Sequence, residues 1–317
     1  MEAFEYVAPN SVKEAVDLLS PNWGEADILA GGTDLMSLLK ERIHTPKRVV
    51  SLKNVSGLNG VSASRVGATA TIAGLLGASA VPAAVRQAAE GITSPQMRAM
   101  GTVGGELLQR PRCWYFRNGY GLLGKDSNGK ALIPNGENQY HAILGNKGPA
   151  YFVSASSLAP ALIALGATVT VAGPDGEEEM AVEKLFQTPT SDSQRETALK
   201  PNQVLTGITI PSGAVKSATY EVRQRQLMDW PLATASVALK MSGNMVESAR
   251  VVLGHVAPTP WRSSDAERAL TGKAVSEATA MEAAKAAVSA ATPLSRNKHK
   301  VQLARVAVKR AILQATG

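Results

Sequence analysis

A single cysteine, Cys113, stands in 317 residues. No disulfide can close within the chain, and no cage built from cysteines alone can hold a metal. Long apolar runs are missing too. The stretch "ALIALGATVTVAG" is too short for a membrane helix and is cut by glycine. The opening "MEAFEYVAPN" is acidic and lacks the basic-then-apolar order of a signal peptide. Together these absences make the cytoplasm the expected compartment and leave no membrane span. Aromatics are scarce at 4%.

Acidic residues are absent from Ala283 to Gly317, where Lys285, Arg296, Lys298, Lys300, Arg305, Lys309 and Arg310 lie. A basic tail in a chain of net charge +7 raises the question of nucleic acid. Val301, Ala304, Val308 and Ile312 recur at helical spacing, which puts the cations on the wet face of an amphipathic helix. No rings interleave with them to stack bases, so a solvated or partner-docking face is expected and nucleic acid is not.

What is present is an ordinary globular composition, 44% hydrophobic with 28 glycines. Ser11 stands three residues before Glu14 at the head of "SVKEAVDLLS", a capping-box spacing. The strand "ADILA" runs through a glycine turn into the helix "LMSLLKER". A strand around Arg48 to Leu52, the alternating "VGATATIAG" and the helix "PAAVRQAAEGI" follow. From Gly91 to about Gly145 the text is dense in Gly, Pro, Arg and amides, and loops this long are usually functional. Beyond it come a helix-to-strand segment at "ALIALGATVTVAG", a turn at Pro174-Asp175-Gly176 and the strand "NQVLTGITIP". Past a soft boundary at Ser212-Gly213, "ATYEVRQRQ", "ATASVALKM" and "ARVVLGHVA" read as strands, and the chain is nearly all helical from Ser264.

Two stretches share one chemistry. "ILAGGTDLMSLL" and "GTVGGELL" each set a threonine beside a glycine pair, next to an apolar segment. Paired glycines permit positive φ and leave backbone N–H groups uncovered. The plain alternative for the first is a strand–helix turn with Asp34 as a helix N-terminal residue. Two such turns could instead cradle the two phosphates of a dinucleotide through main-chain amides and hydroxyls. "AGGTDL" lacks the Lys-Ser/Thr pair of a P-loop and the glycine spacing of a Rossmann fingerprint.

Those stretches, with "PQMRAMGTVGGELLQRPRCWYFR", "YEVRQRQLMDWPLATASVAL", "ARVVLGHVAPTPWRSSDAERALTGK" and "PLSRNKHKV", resemble the FAD-binding subunit of molybdenum hydroxylases. That family includes xanthine dehydrogenase, aldehyde oxidoreductase and aerobic CO dehydrogenase, and the resemblance runs over nearly the whole chain. It implies an α+β fold: a PCMH-type FAD-binding domain, like those of vanillyl-alcohol oxidase and MurB, over residues 1–213, in subdomains of about 1–58 and 59–213. A CO-dehydrogenase-flavoprotein-like C-terminal domain of sheet plus helices would span 214–317. It implies FAD as cofactor, with Leu29, Ala30, Gly31, Gly32, Thr33, Asp34 and Leu35 at the first pyrophosphate loop and Thr102, Val103, Gly104 and Gly105 at the second. Backbone near Leu205 and Ile208 would lie against the isoalloxazine edge, and Arg223 and Arg225 in a basic strand near the flavin.

The implied role is an electron-transfer subunit. A large subunit with the molybdenum cofactor and a small subunit with 2Fe–2S clusters would be its partners, and it would pass electrons to an external acceptor. The substrate and that acceptor stay open. So do two rivals: a stand-alone flavin oxidoreductase, and a structural subunit that has lost FAD.

Two departures from the family pattern bear on the site. Glu106 stands where the family usually has Asn, and Ser157 where it usually has Asp. Either Glu106 replaces the missing carboxylate as an acceptor near the ribityl or adenosine hydroxyls, or it turns to solvent and water fills the space at Ser157. In one branch of the family "QRxRCWYF" opens a segment that binds a 4Fe–4S cluster through four cysteines. Here only Cys113 remains, so this chain is expected to hold no such cluster. A buried inert thiol is expected there, and a structural rather than catalytic role for His141.

Overall fold

The computed structural model describes residues 1–92, 94–225 and 228–317. Gln226, at the end of the expected strand "ATYEVRQRQ", lies outside the described residues.

Strands β1 (Glu5–Val7), β2 (Ala26–Leu29) and β3 (Arg48–Ser51) form a parallel sheet in the order β1-β3-β2, crossed by helices α1 (Val12–Asp17) and α2 (Leu35–Lys40). Ser11 caps α1 by accepting from the Glu14 amide at 3.2 Å. The Glu14 carboxylate reaches back to the Asn10 amide at 2.8 Å, one residue beyond the expected box partner.

A second, antiparallel sheet has the order β4-β7-β5-β6, from β4 (Arg65–Gly67), β5 (Thr168–Gly173), β6 (Gly176–Ala181) and β7 (Val204–Thr209). The alternation of "VGATATIAG" is strand only to Gly67. A side chain at that position would stand 2.1 Å from the Leu58 carbonyl, and Thr71 already caps α3 (Ile72–Gly77). Helices α4 (Ala83–Gly91), α5 (Pro95–Met100), α6 (Val103–Leu107) and α7 (Trp114–Arg117) follow, then a long irregular stretch to α8 (Leu158–Leu165). Every residue of α8 from Leu158 to Ala164 is buried, as expected of a helix apolar on all sides. It shares one core with Ile72, Leu75 and Val169 of the second sheet's side, and with Ala238 and Val252 of the third sheet.

That third sheet is antiparallel, in the order β11-β10-β9-β8, from β8 (Lys216–Arg223), β9 (Pro231–Ser242), β10 (Met245–Gly254) and β11 (Trp261–Arg262). Its other face packs on α9 (Ser264–Leu270), α10 (Glu277–Ala287) and α11 (His299–Thr316) through Val237, Val251, Ala283 and Val308. The exposed residues 211–216 link it to β7. Helix α11 buries Ala304, Val308 and Ile312 as the spacing predicts. Lys300 departs from the expected wet face: it is 1% exposed and donates to the carbonyls of Tyr140, His141 and His255 at 2.9, 3.1 and 2.7 Å. An ammonium is buried there because all three of its hydrogens find carbonyl oxygens. Among the described residues no helix is long and apolar enough to cross a membrane.

Candidate cofactor site

The first glycine turn carries the chain from β2 into α2. Gly32 takes φ +73°. A Cβ on Gly31 would stand 1.8 Å from the Met100 carbonyl oxygen, backbone against backbone. The two glycine stretches are therefore in direct contact, since Met100 immediately precedes the second. Among the described residues no hydrogen-bond acceptor serves the amides from Gly31 to Leu35. Asp34 holds the N-cap position of α2, yet its side chain does not cap the helix. Its carboxylate accepts instead from the Arg110 amide at 2.7 Å and pairs with Arg117 at 2.8 Å and Arg112 at 3.0 Å. Asp34 thus starts the helix, as the plain reading has it, and also ties the turn to the segment after α6.

The second turn is built differently. Thr102 caps α6 by accepting from the Gly105 amide at 3.2 Å. Val103 donates to Ala70 and Gly104 to Ala68, each at 2.8 Å, and Glu106 donates to Thr102 at 2.8 Å. All four amides from Val103 to Glu106 thus have partners within the fold. The glycines serve close packing, for a Cβ on Gly104 would stand 2.9 Å from Ala68.

Both turns line one cavity, together with Trp23, His44, Arg110 and Leu205. Ala30 to Leu35, Thr102, Gly104 and Gly105 are all in its wall. A second cavity shares Thr33, Asp34, Thr102, Gly105 and Gln109 with the first and continues to Glu106, Ser157 and Trp230. The two are lobes of one cleft that passes over the glycine turns. Leu29, Val103 and Ile208 line neither lobe. Leu29 supports the turn from below, 3.2 Å from where a Gly32 Cβ would be. Ile208 is 1% exposed, mid-sheet between Val66 and Val169, and its side chain belongs to the core. Arg223 and Arg225 also lie outside the cleft: Arg223 bonds Gly91 and Glu221, and Arg225 faces Asp229 at 4.0 Å.

Glu106 does not turn to solvent: it is 8% exposed, and its oxygens accept from the Ser156 hydroxyl and the Ser157 amide at 2.6 Å and from the Leu158 amide at 3.3 Å. It thus supplies the N-terminal cap that Ser157 does not make for α8. Burial pushes its carboxyl up to about 7, with the neighbouring Glu221 adding to the rise, while Ser156 and the two amides oppose it.

Sequence reasoning missed a polar chain in the first lobe. Asp27 meets His44 at 2.9 Å, His44 meets Arg110 at 2.8 Å, and Arg110 pairs with Glu196 at 2.5 Å. Arg195 lies 4.4 Å over the Trp23 ring. These partners are far apart in sequence and share no periodicity; only the topology brings them together. Cys113 is packed with Leu38, Leu122, Leu123, Ile133, Ala150 and Phe152, an apolar setting that pushes its thiol up to about 11. Among the described residues no group of three or more His, Cys, Asp or Glu side chains could hold a metal.

The cleft suits an elongated diphosphate ester: a bend with free amides at its middle and a lobe at each end. The model for the FAD binding domain in molybdopterin dehydrogenase matches residues 2–213, and that for the CO dehydrogenase flavoprotein C-terminal domain matches 218–315. The carbon monoxide dehydrogenase medium chain of Hydrogenophaga pseudoflava is 28% identical over 98% of this chain and 96% of that protein. The aldehyde oxidoreductase FAD-binding subunit of Escherichia coli is 29% identical over 86% of this chain and 87% of its own length. Among solved structures, carbon monoxide dehydrogenase from Hydrogenophaga pseudoflava, in a form lacking the Mo-pyranopterin moiety, matches with a TM-score of 0.76 at 27% identity, covering 99% of this chain and 97% of that one.

Proposed function

The chain belongs to the family of FAD-binding domains of molybdopterin dehydrogenases, and from that premise we propose how it holds its cofactor and what it serves. It is the FAD-binding medium subunit of a molybdenum-hydroxylase-type oxidoreductase. The amides of Gly31 to Leu35 would hold the FAD diphosphate over the first glycine turn. Thr102 offers its hydroxyl from the facing turn, and Gly104 and Gly105 give surface without side chains. Leu205 in one lobe, and Ser157 and Trp230 in the other, would receive the two ends of the dinucleotide. Glu106 acts by fixing the start of α8, which sets Ser157 at the wall of the second lobe.

Bound FAD accepts electrons singly or in pairs, which lets it join one-electron centres to a two-electron acceptor. The protein's part is to orient the ring, exclude water and set access. A large subunit with the molybdenum cofactor and a small subunit with 2Fe–2S clusters are the proposed partners, in keeping with the medium-chain names of the relatives. The cytoplasm is the proposed compartment, and residues 211–216 the proposed boundary between the FAD-binding and C-terminal domains.

The single observation that carries this reading is the set of unpartnered amides at a turn whose glycine no side chain could replace. Purification with native partners, a visible spectrum and cofactor extraction test it. The expected result is about one FAD per chain, with molybdenum and iron in the other subunits. A colourless chain that takes up no added FAD would overturn it.

A further inference from the structure

Strand β8 is the outer strand of the third sheet, with β9 on one side only. An outer strand keeps a row of main-chain donors and acceptors that its own sheet does not use. The Thr219 amide shows which way that row points: it leaves the sheet and donates to the Gln87 side chain at 2.7 Å. Antiparallel pairing alternates along a strand, so Glu221 and Arg223 turn their amides and carbonyls the same way. Among the described residues nothing outside the sheet takes either amide or either carbonyl.

The helices beside β8 leave this row open. Helix α4 walls one side with Gln87, Glu90 and Gly91, α11 walls the other with Val306, Arg310 and Gln314, and the groove between them holds about 720 Å³. Arg223 turns to the first wall, where it bonds the Gly91 carbonyl and pairs with Glu221. Tyr220 turns to the second, with the Arg310 guanidinium 5.1 Å over its ring. The side chains go to the walls, and main chain forms the floor.

Water serves many such edges, and Gln87 is the kind of guard that natural sheets place on them. Here the guard stops at Thr219, while the walls run on beside Arg223. The charge of the groove names its occupant. Arg225 and Arg310 are exposed, Glu90 is the one exposed carboxylate among the described lining residues, and Glu221 and Arg223 cancel each other. The α11 wall can add no negative charge, since no acidic residue occurs from Ala283 onward.

We propose that this groove takes an extended, acidic segment of a partner polypeptide as a fifth strand beside β8. Main-chain bonds form at Glu221 and Arg223, and the carboxylates of the segment meet Arg225 and Arg310. The inference goes beyond the FAD reading and does not rest on it.

The test is titration of the FAD-loaded protein with a capped six-residue peptide alternating glutamate and valine, followed by amide hydrogen exchange. One saturable site is expected, with exchange slowed at Glu221 and Arg223 and unchanged at Tyr220, which β9 already holds. The same peptide methylated on its amide nitrogens keeps its charge, loses its pairing and should not bind. The counterpart alternating lysine and valine should bind more weakly. Arg310→Glu should weaken the glutamate peptide by about fivefold, the order of one exposed charge contact, with flavin absorbance unchanged. No saturable binding, equal affinity of the methylated or the lysine peptide, full affinity in Arg310→Glu, or protection elsewhere than at Glu221 and Arg223 would overturn the proposal. A dimer of this chain that protects the same two amides would give the groove to a second copy and overturn it too. If Arg310→Glu does not fold, the methylated and lysine peptides on the unsubstituted protein decide. Flavin absorbance is read separately, so loss of the FAD reading and loss of this one are told apart.

Discussion

The two glycine turns look alike in sequence and differ in what they leave free. In the first, the amides from Gly31 to Leu35 have no acceptor among the described residues. In the second, every amide from Val103 to Glu106 is used by Ala68, Ala70 or Thr102. The lesson is that glycine serves two ends, uncovering a donor in one place and permitting close packing in the other. The first turn, tied down by Asp34, is the proposed binding surface; the second is the wall it leans on.

Substitutions can break that contrast. The largest effect is expected for Gly31→Ala, where the added carbon meets the Met100 carbonyl at 1.8 Å. Backbone must move at the binding turn itself, so FAD should be lost, with a cost of about 3 kcal/mol in stability. Flavin content and a thermal melt report both. Asp34→Ala leaves Arg112 and Arg117 without their shared carboxylate, and about 3 kcal/mol is expected from denaturant unfolding. FAD affinity should fall with it, because the turn loses its anchor.

Glu106 adds a pH dependence with a definite sign. Its carboxyl is raised from 4.5 to about 7, so between those values the folded chain holds a proton that the unfolded chain has released. The contribution of Glu106 to stability should fall as pH rises through that window and level off above it, by at most about 3 kcal/mol, while buried His141, held down to about 4, and His255, down to about 3, act with the opposite sign. The difference between thermal melts of the unsubstituted protein and Glu106→Gln across the same window should therefore carry the falling slope. A slope that survives the substitution belongs to another group.

Smaller effects are expected at the second turn. Gly104→Ala presses on the methyl and backbone carbonyl of Ala68 at 2.9 Å, so the second turn must shift against Ala68; about 1–2 kcal/mol of stability should be lost while FAD is retained. Thr102→Val removes the cap on the Gly105 amide, at about 1 kcal/mol. Were Gly104→Ala to strip FAD as Gly31→Ala does, the contrast between the turns would be gone.

Much of the architecture was legible locally. The strand–turn–helix at Ala26–Lys40, the helix-to-strand passage at Leu158–Gly173 and the helical tail each carry their own period or punctuation. The fold and the cofactor followed from motifs that resemble a known family. The long-range partners were not legible. Nothing near Asp34 announces Arg112 and Arg117 as its partners, and nothing near Val103 announces that Ala68 and Ala70 take the amides of the second turn. Lys300 reads as one more exposed cation until the segment from Tyr140 to His141 folds over it. Glu106 stands out in the sequence beside the glycine pair, but its partners lie in the α8 terminus about 50 residues on, a distance no spacing rule reaches.

Amide hydrogen exchange, compared between FAD-loaded and FAD-depleted protein, tests the central claim most directly. Exchange at Gly31 to Leu35 should be fast without FAD and strongly slowed with it, while Val103 to Glu106 stay protected in both states. Equal, cofactor-dependent protection of the two turns, or none at the first, would contradict the account.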